Sequence, residues 1–156
     1  MLRPIFILLA ALCAASAQKY SGPMPPKADL PYIKHAGNLL PTESTEAKEE
    51  KGKKDDVIYV VAGASSPTKT PLASPIFIFL ADRLSPDKLQ LFKLETKNGR
   101  REILFTAKKQ PQPIRLEVTR LDSPSLYSIE VAESLERGEY SITPQGSNQV
   151  FCFQAF

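Results

Sequence analysis

Leu135 to Ile142 reads Leu-Glu-Arg-Gly-Glu-Tyr-Ser-Ile, and this stretch decides the fold. Tyr140 stands two residues after Gly138 and two before Ile142, after one strand pattern and at the opening of another. That is the spacing of a tyrosine corner, in which a phenol bonds back to backbone where a Greek-key chain crosses between sheets. Tyr140 is then expected to turn its ring inward and to hydrogen-bond a backbone group a few residues upstream, as a buried phenol must. Gly138 supplies the backbone freedom of the turn. The plainer alternative is an ordinary turn with a tyrosine in the next strand.

Outward from the corner the chain reads as strands. Tyr127, Ile129 and Val131 alternate with Ser128 and Glu130 before it, and Val150 to Phe156 closes the chain after it. Further back, Ile114, Leu116 and Val118 alternate with Arg115, Glu117 and Thr119. Asn98-Gly99, flanked by Leu89 to Thr96 and Arg101 to Ala107, is the strongest short-range hairpin signal in the chain. A two-residue turn there sets Phe92 opposite Phe105, Leu94 opposite Ile103 and Thr96 opposite Arg101 on one apolar face. The other face pairs charges diagonally, Glu95 with Arg100 and Lys97 with Glu102, as a half-buried antiparallel ribbon requires. A slip of one residue destroys both patterns. Val57 to Val61 and Ile76 to Ala81 are β-branched or aromatic runs bounded by turn residues.

About eight strands past residue 55, with no competing helix, predict an all-β fold. The expectation is an antiparallel sandwich of immunoglobulin-like or fibronectin type III-like topology, spanning residues 29–156 as one domain. The inter-sheet disulfide and tryptophan of antibody domains are absent. A membrane barrel is the other all-β choice, but its strands need roughly nine to eleven residues and an uncharged outer face.

The first 17 residues read as a cleaved signal peptide. Arg3 precedes the apolar run Ile5 to Leu12, and Ala15-Ser16-Ala17 has the small-residue form of a cleavage site. Leu12 before Cys13 argues against a lipid-anchored alternative. The expected destination is the periplasm or the outside of the cell. Cleavage leaves 19 basic against 17 acidic residues, too even a balance to call for nucleic acid or an anionic membrane. It also leaves Cys152 as the one cysteine, so the exported domain relies on its hydrophobic core rather than a disulfide.

Gln18 to Ala28 carries Pro23, Pro25 and Pro26 and reads as an extended, solvated leader. Asp29 to Thr42 is too apolar for a linker and holds a turn at Ala36-Gly37-Asn38. Glu43 to Asp56 is almost wholly charged. It fits a solvated linker, a frayed helix or a long hairpin whose tip is near Gly52.

Three stretches carry a resemblance: Asp29 to Glu43 (DLPYIKHAGNLLPTE), Ser74 to Ile103 and Gly138 to Phe153. They resemble a group of exported bacterial proteins of unknown function. The resemblance implies that residues 29–55 belong to the domain. It brings no catalytic residue, ligand or partner.

The residues that carry chemistry are sparse. His35 is the only histidine, and no glycine-flanked serine forms a nucleophile elbow. One histidine and one remaining cysteine do not make a structural zinc site, and Asp55-Asp56 lacks calcium-loop spacing. No glycine-rich loop cradles phosphate, so neither metal nor cofactor is expected. The basic group Lys97, Arg100 and Arg101 at the hairpin tip is the one weak candidate for binding an acidic glycan or phosphate. Cys152 is expected to be a covered, unreactive thiol facing away from Phe151 and Phe153.

The first expectation for function is a non-catalytic cell-envelope protein acting through protein contacts, with an unidentified envelope partner. A glycan- or small-ligand-binding module comes second, and a cluster of exposed aromatics on one sheet face would favour it. A hydrolase comes third, and would need a pocket lined by His35 and carboxylates.

Overall fold

The computed structural model describes residues 18–156; the segment 1–17, on which the export expectation rests, lies outside the described residues. In chain order the strands are β1 (Tyr32–His35), β2 (Asn38–Pro41), β3 (Glu43–Glu46), β4 (Lys48–Lys51), β5 (Val57–Val61), β6 (Lys69–Thr70), β7 (Ile76–Leu80), β8 (Leu89–Lys97), β9 (Arg100–Phe105), β10 (Leu116–Arg120), β11 (Leu126–Val131), β12 (Gly138–Pro144) and β13 (Gln149–Ala155). A single 3-10 turn at Pro86–Lys88 is the one helical element among the described residues. No helix among the described residues is long and apolar enough to cross a membrane.

The fold is an all-β sandwich, antiparallel except where β6 runs parallel to β13. One sheet has the order β10-β11-β7-β1-β2, and the other runs β3-β13-β12-β8-β9-β5-β4 with β6 beside β13. The sandwich core lies between the first sheet and the β13-β12-β8 part of the second. Ile33, Phe77, Phe79 and Ile129 from one side meet Leu91, Tyr140, Ile142, Phe151 and Phe153 from the other. Strand alternation sends every second residue of β8, β12 and β13 to the opposite face.

That opposite face is buried too. β3 and β4 are separated by Ala47 alone, whose N–H donates to the Asn148 carbonyl at 2.8 Å. β3 pairs with β13 and β4 pairs with β5, which are far apart in the strand order. The larger sheet therefore closes on itself, with residues 43–51 as the closing strand. β8 makes the other corner: its first part pairs with β12 and its last residues with β9. Strands that switch partners at a bend make the corners of orthogonal β packing. Double burial explains why β12 and β13 are buried almost without alternation.

The hairpins follow their turn residues. Asn98 and Gly99 take φ of 55° and 74°, and Ala36 and Gly37 take 48° and 79°, so both turns hold two successive left-handed residues. The charge run forms a hairpin, with β4 paired to β5 through Lys51↔Val57 and the Gly52 N–H bonded to the Asp56 carbonyl at 2.8 Å.

Two expectations about the β8–β9 hairpin are corrected, and the leader needs one addition. The leader is exposed over most of its length but is tethered to the domain: Pro25 is buried, Gln18 bridges to Leu121, and Tyr20 packs on the outer face of the first sheet near Ile78 and Leu126. β7 is apolar at every position (Ile-Phe-Ile-Phe-Leu), so its outer face also needs cover. The β8–β9 ladder has the expected register at Thr96↔Arg101 but stops at Glu95↔Glu102, because β8 bends away to pair with β12. The diagonal pairs Glu95–Arg100 and Lys97–Glu102 do not form. Arg100 instead binds Glu102 at 3.2 Å and Glu50 at 2.9 Å, since β5 and β4 extend the sheet past β9 and bring a further carboxylate within reach.

Candidate functional site

The closed part of the larger sheet has an interior with two unlike ends. Alternation along its strands points Glu43 and Ala47, Val61, Leu94, Arg101, Ile103, Glu139 and Ser141, and Val150 and Cys152 inward. Ala47, Val61, Leu94, Val150 and Cys152 form a buried apolar waist.

Below the waist sits a polar plug. Arg101 is 1% exposed and grips Glu43 with both terminal nitrogens, at 2.6 and 3.2 Å. Its remaining contacts are Nε to the Gly63 carbonyl at 3.0 Å and Nη2 to the Ala62 carbonyl at 2.6 Å. A buried guanidinium needs this many acceptors. Glu139 is 4% exposed; one oxygen accepts the Ser66 N–H and the other has no partner. Burial pushes the Glu139 carboxyl above its usual range, against the pull of the Ser66 N–H and Arg101. Cys152 lies among these groups with no exposure, and burial pushes its thiol up to about 12. A thiol held protonated is a poor nucleophile.

Above the waist the interior opens. The β8–β9 ladder ends at Glu95↔Glu102, and past that point the inward residues of the two strands line a cavity of about 280 Å³. Tyr59, Phe92 and Phe105 form its aromatic wall, with Ile103 beside them. Tyr59 meets Phe105 edge-on at 5.4 Å and 85°, and Phe92 meets it at 6.0 Å and 72°. Gln90, Ser141, Thr143 and the Ser147-Asn148 turn supply neutral polar groups. Glu49, opposite Tyr59 on β4, is the one charged residue in the lining.

The residues singled out from the sequence are scattered around this interior. Tyr140 is 1% exposed, its hydroxyl donates to the Glu136 carbonyl at 2.7 Å, and its ring stacks on Phe153 at 5.6 Å. This is the corner geometry, and Gly138 lets the Lys93 side chain pass where a Cβ would come within 3.2 Å. Asn98 and Gly99 form the hairpin tip at the plugged end. Lys97, Arg100 and Arg101 do not make one basic surface: Arg100 is engaged by two glutamates and Arg101 is inside. His35 closes β1 in the other sheet and is no part of the cavity lining.

The cavity was not foreseen as a site. Its one sequence signal was the apolar face carrying Phe92, Ile103 and Phe105, which reads equally well as core. Comparison with protein-family models, curated proteins and solved structures found no match.

Proposed function

We propose that this chain is an exported, non-catalytic binding protein of immunoglobulin-like build, which takes the apolar part of a small ligand into the open end of its closed sheet. The single observation that carries the reading is the 280 Å³ cavity walled by Tyr59, Phe92 and Phe105. Binding cavities are concave, mostly apolar and dressed with a few polar groups, and this one has that character. It ranks small-ligand binding above the protein-contact role expected from the sequence. Rings facing into a cavity, rather than forming a flat platform, favour an apolar ligand over a glycan.

The immunoglobulin-like assignment is supported by the order β10-β11-β7-β1 against β13-β12-β8, which parallels D-E-B-A against G-F-C, with Tyr140 near the start of the F-like strand. The non-catalytic reading is supported by the place of His35 in the other sheet, outside the cavity lining, and by the buried thiol of Cys152, pushed up to about 12.

A neutral, environment-sensitive apolar fluorophore should bind the mature protein at one per chain. Ile103→Trp, which fills the cavity from its wall, should abolish that binding without unfolding the protein. Equal binding by wild type and the filled variant would refute the assignment.

A further inference from the structure

We infer that the cavity selects a cationic ligand, a small alkyl- or arylalkyl-ammonium whose apolar body packs against Phe92 and Phe105 while its charge stays beside Glu49 and Tyr59. This rests on the binding role proposed above and adds the chemistry of the ligand.

Charge is the first support. The lining holds no Lys, Arg or His, and its one charged residue is the exposed Glu49. Glu49 takes part in none of the ion pairs found among the described residues, whereas its neighbour Glu50 binds Arg100. Lys51 shares the inward face of β4 but is not part of the lining. The other cation of this interior, Arg101, is at the plugged end and is already bound by both oxygens of Glu43. An anionic ligand would thus meet a carboxylate and no counter-charge, and a cationic one meets a free partner.

The aromatic wall is the second support. Tyr59, Phe92 and Phe105 are arranged edge to face, so rings in different planes line one space. Ring faces carry the negative part of the aromatic quadrupole and attract cations, above all ammonium groups shielded from water. Glu49 lies directly across the β4–β5 pair from Tyr59, so carboxylate and ring offer a cation two contacts at one place. Ser141, Thr143 and Gln90 add acceptors without adding charge.

The test compares three probes of similar shape and different charge: 2-phenylethylammonium, 2-phenylethanol and phenylacetate. Their dissociation constants are measured on the mature protein by ligand-observed NMR at low ionic strength. The ammonium should bind about three- to tenfold more tightly than the alcohol, the range for one exposed ion pair with a cation–π contact. Phenylacetate should bind most weakly. Glu49→Gln, at an exposed strand position where folding is not at risk, should erase the ammonium's advantage over the alcohol. Alcohol binding equal to or tighter than the ammonium overturns the charge selectivity while leaving the cavity assignment standing. An advantage that survives Glu49→Gln overturns it too. Failure of all three probes also overturns it, and the neutral fluorophore then shows whether the cavity assignment falls with it.

Discussion

Arg101→Met should be the most damaging single substitution outside the sandwich core. The change keeps much of the side-chain volume and removes the charge, so it isolates the polar plug. Four hydrogen bonds disappear: two to Glu43 and one each to the carbonyls of Gly63 and Ala62. Removing one partner of a buried ion pair costs about 3–5 kcal/mol, because the other charge is left without compensation. Here Glu43 keeps 23% exposure, so water reaches part of the abandoned carboxylate, and about 2–4 kcal/mol is the better figure. Arg101→Lys retains the charge, but one ammonium cannot span a carboxylate and two carbonyls, so roughly half the loss should remain. Adding Glu43→Gln to Arg101→Met removes the stranded charge and should recover about 1–2 kcal/mol. Urea unfolding followed by tyrosine fluorescence measures all four proteins, since the chain has 5 tyrosines and no tryptophan. An Arg101→Met unfolding free energy within about 0.5 kcal/mol of wild type would refute the idea that this pair locks the closing strand.

Tyr140→Phe removes only the hydroxyl that meets the Glu136 carbonyl, and should cost about 1–3 kcal/mol with the fold retained; an unchanged unfolding midpoint would mean that the corner bond contributes nothing. Cys152, fully buried with its thiol pushed up to about 12, should resist maleimide in native buffer and react in urea. A covalent dimer on non-reducing electrophoresis, abolished by Cys152→Ser, would contradict that. Glu139 holds its proton more tightly folded than unfolded, so its contribution to stability is full below the unfolded carboxyl range and is lost as pH rises through the folded value. Glu139→Gln should therefore gain on wild type as pH rises, and a difference in stability independent of pH would count against this account.

Patterning along the chain specifies the strands past residue 55 other than the two-residue β6, the main hairpin turns and the sandwich class. Each of those signals is local. Asn98-Gly99 dictates a left-handed pair because few other residues accept that backbone. The alternation along β10 and β11 assigns faces because successive side chains must point oppositely. Cys152 could be placed under a neighbouring segment because the alternation of its own strand put it opposite Phe151 and Phe153. What the tertiary structure alone decided was closure. The closing strand, residues 43–51, brings Glu43, Thr45, Ala47, Glu49 and Lys51 to its inward face, and only Ala47 among them is apolar. Hydrophobic patterning thus gave no sign that this stretch covers a core. Its place depends on pairing with β13 at one end and β5 at the other, contacts far away along the chain. Arg101 follows the same logic: beside Arg100 it reads as surface charge, and only a carboxylate 58 positions away makes its burial tolerable. The cavity exists because β8 must leave β9 to pair with β12, and no pattern within either strand records where that parting occurs.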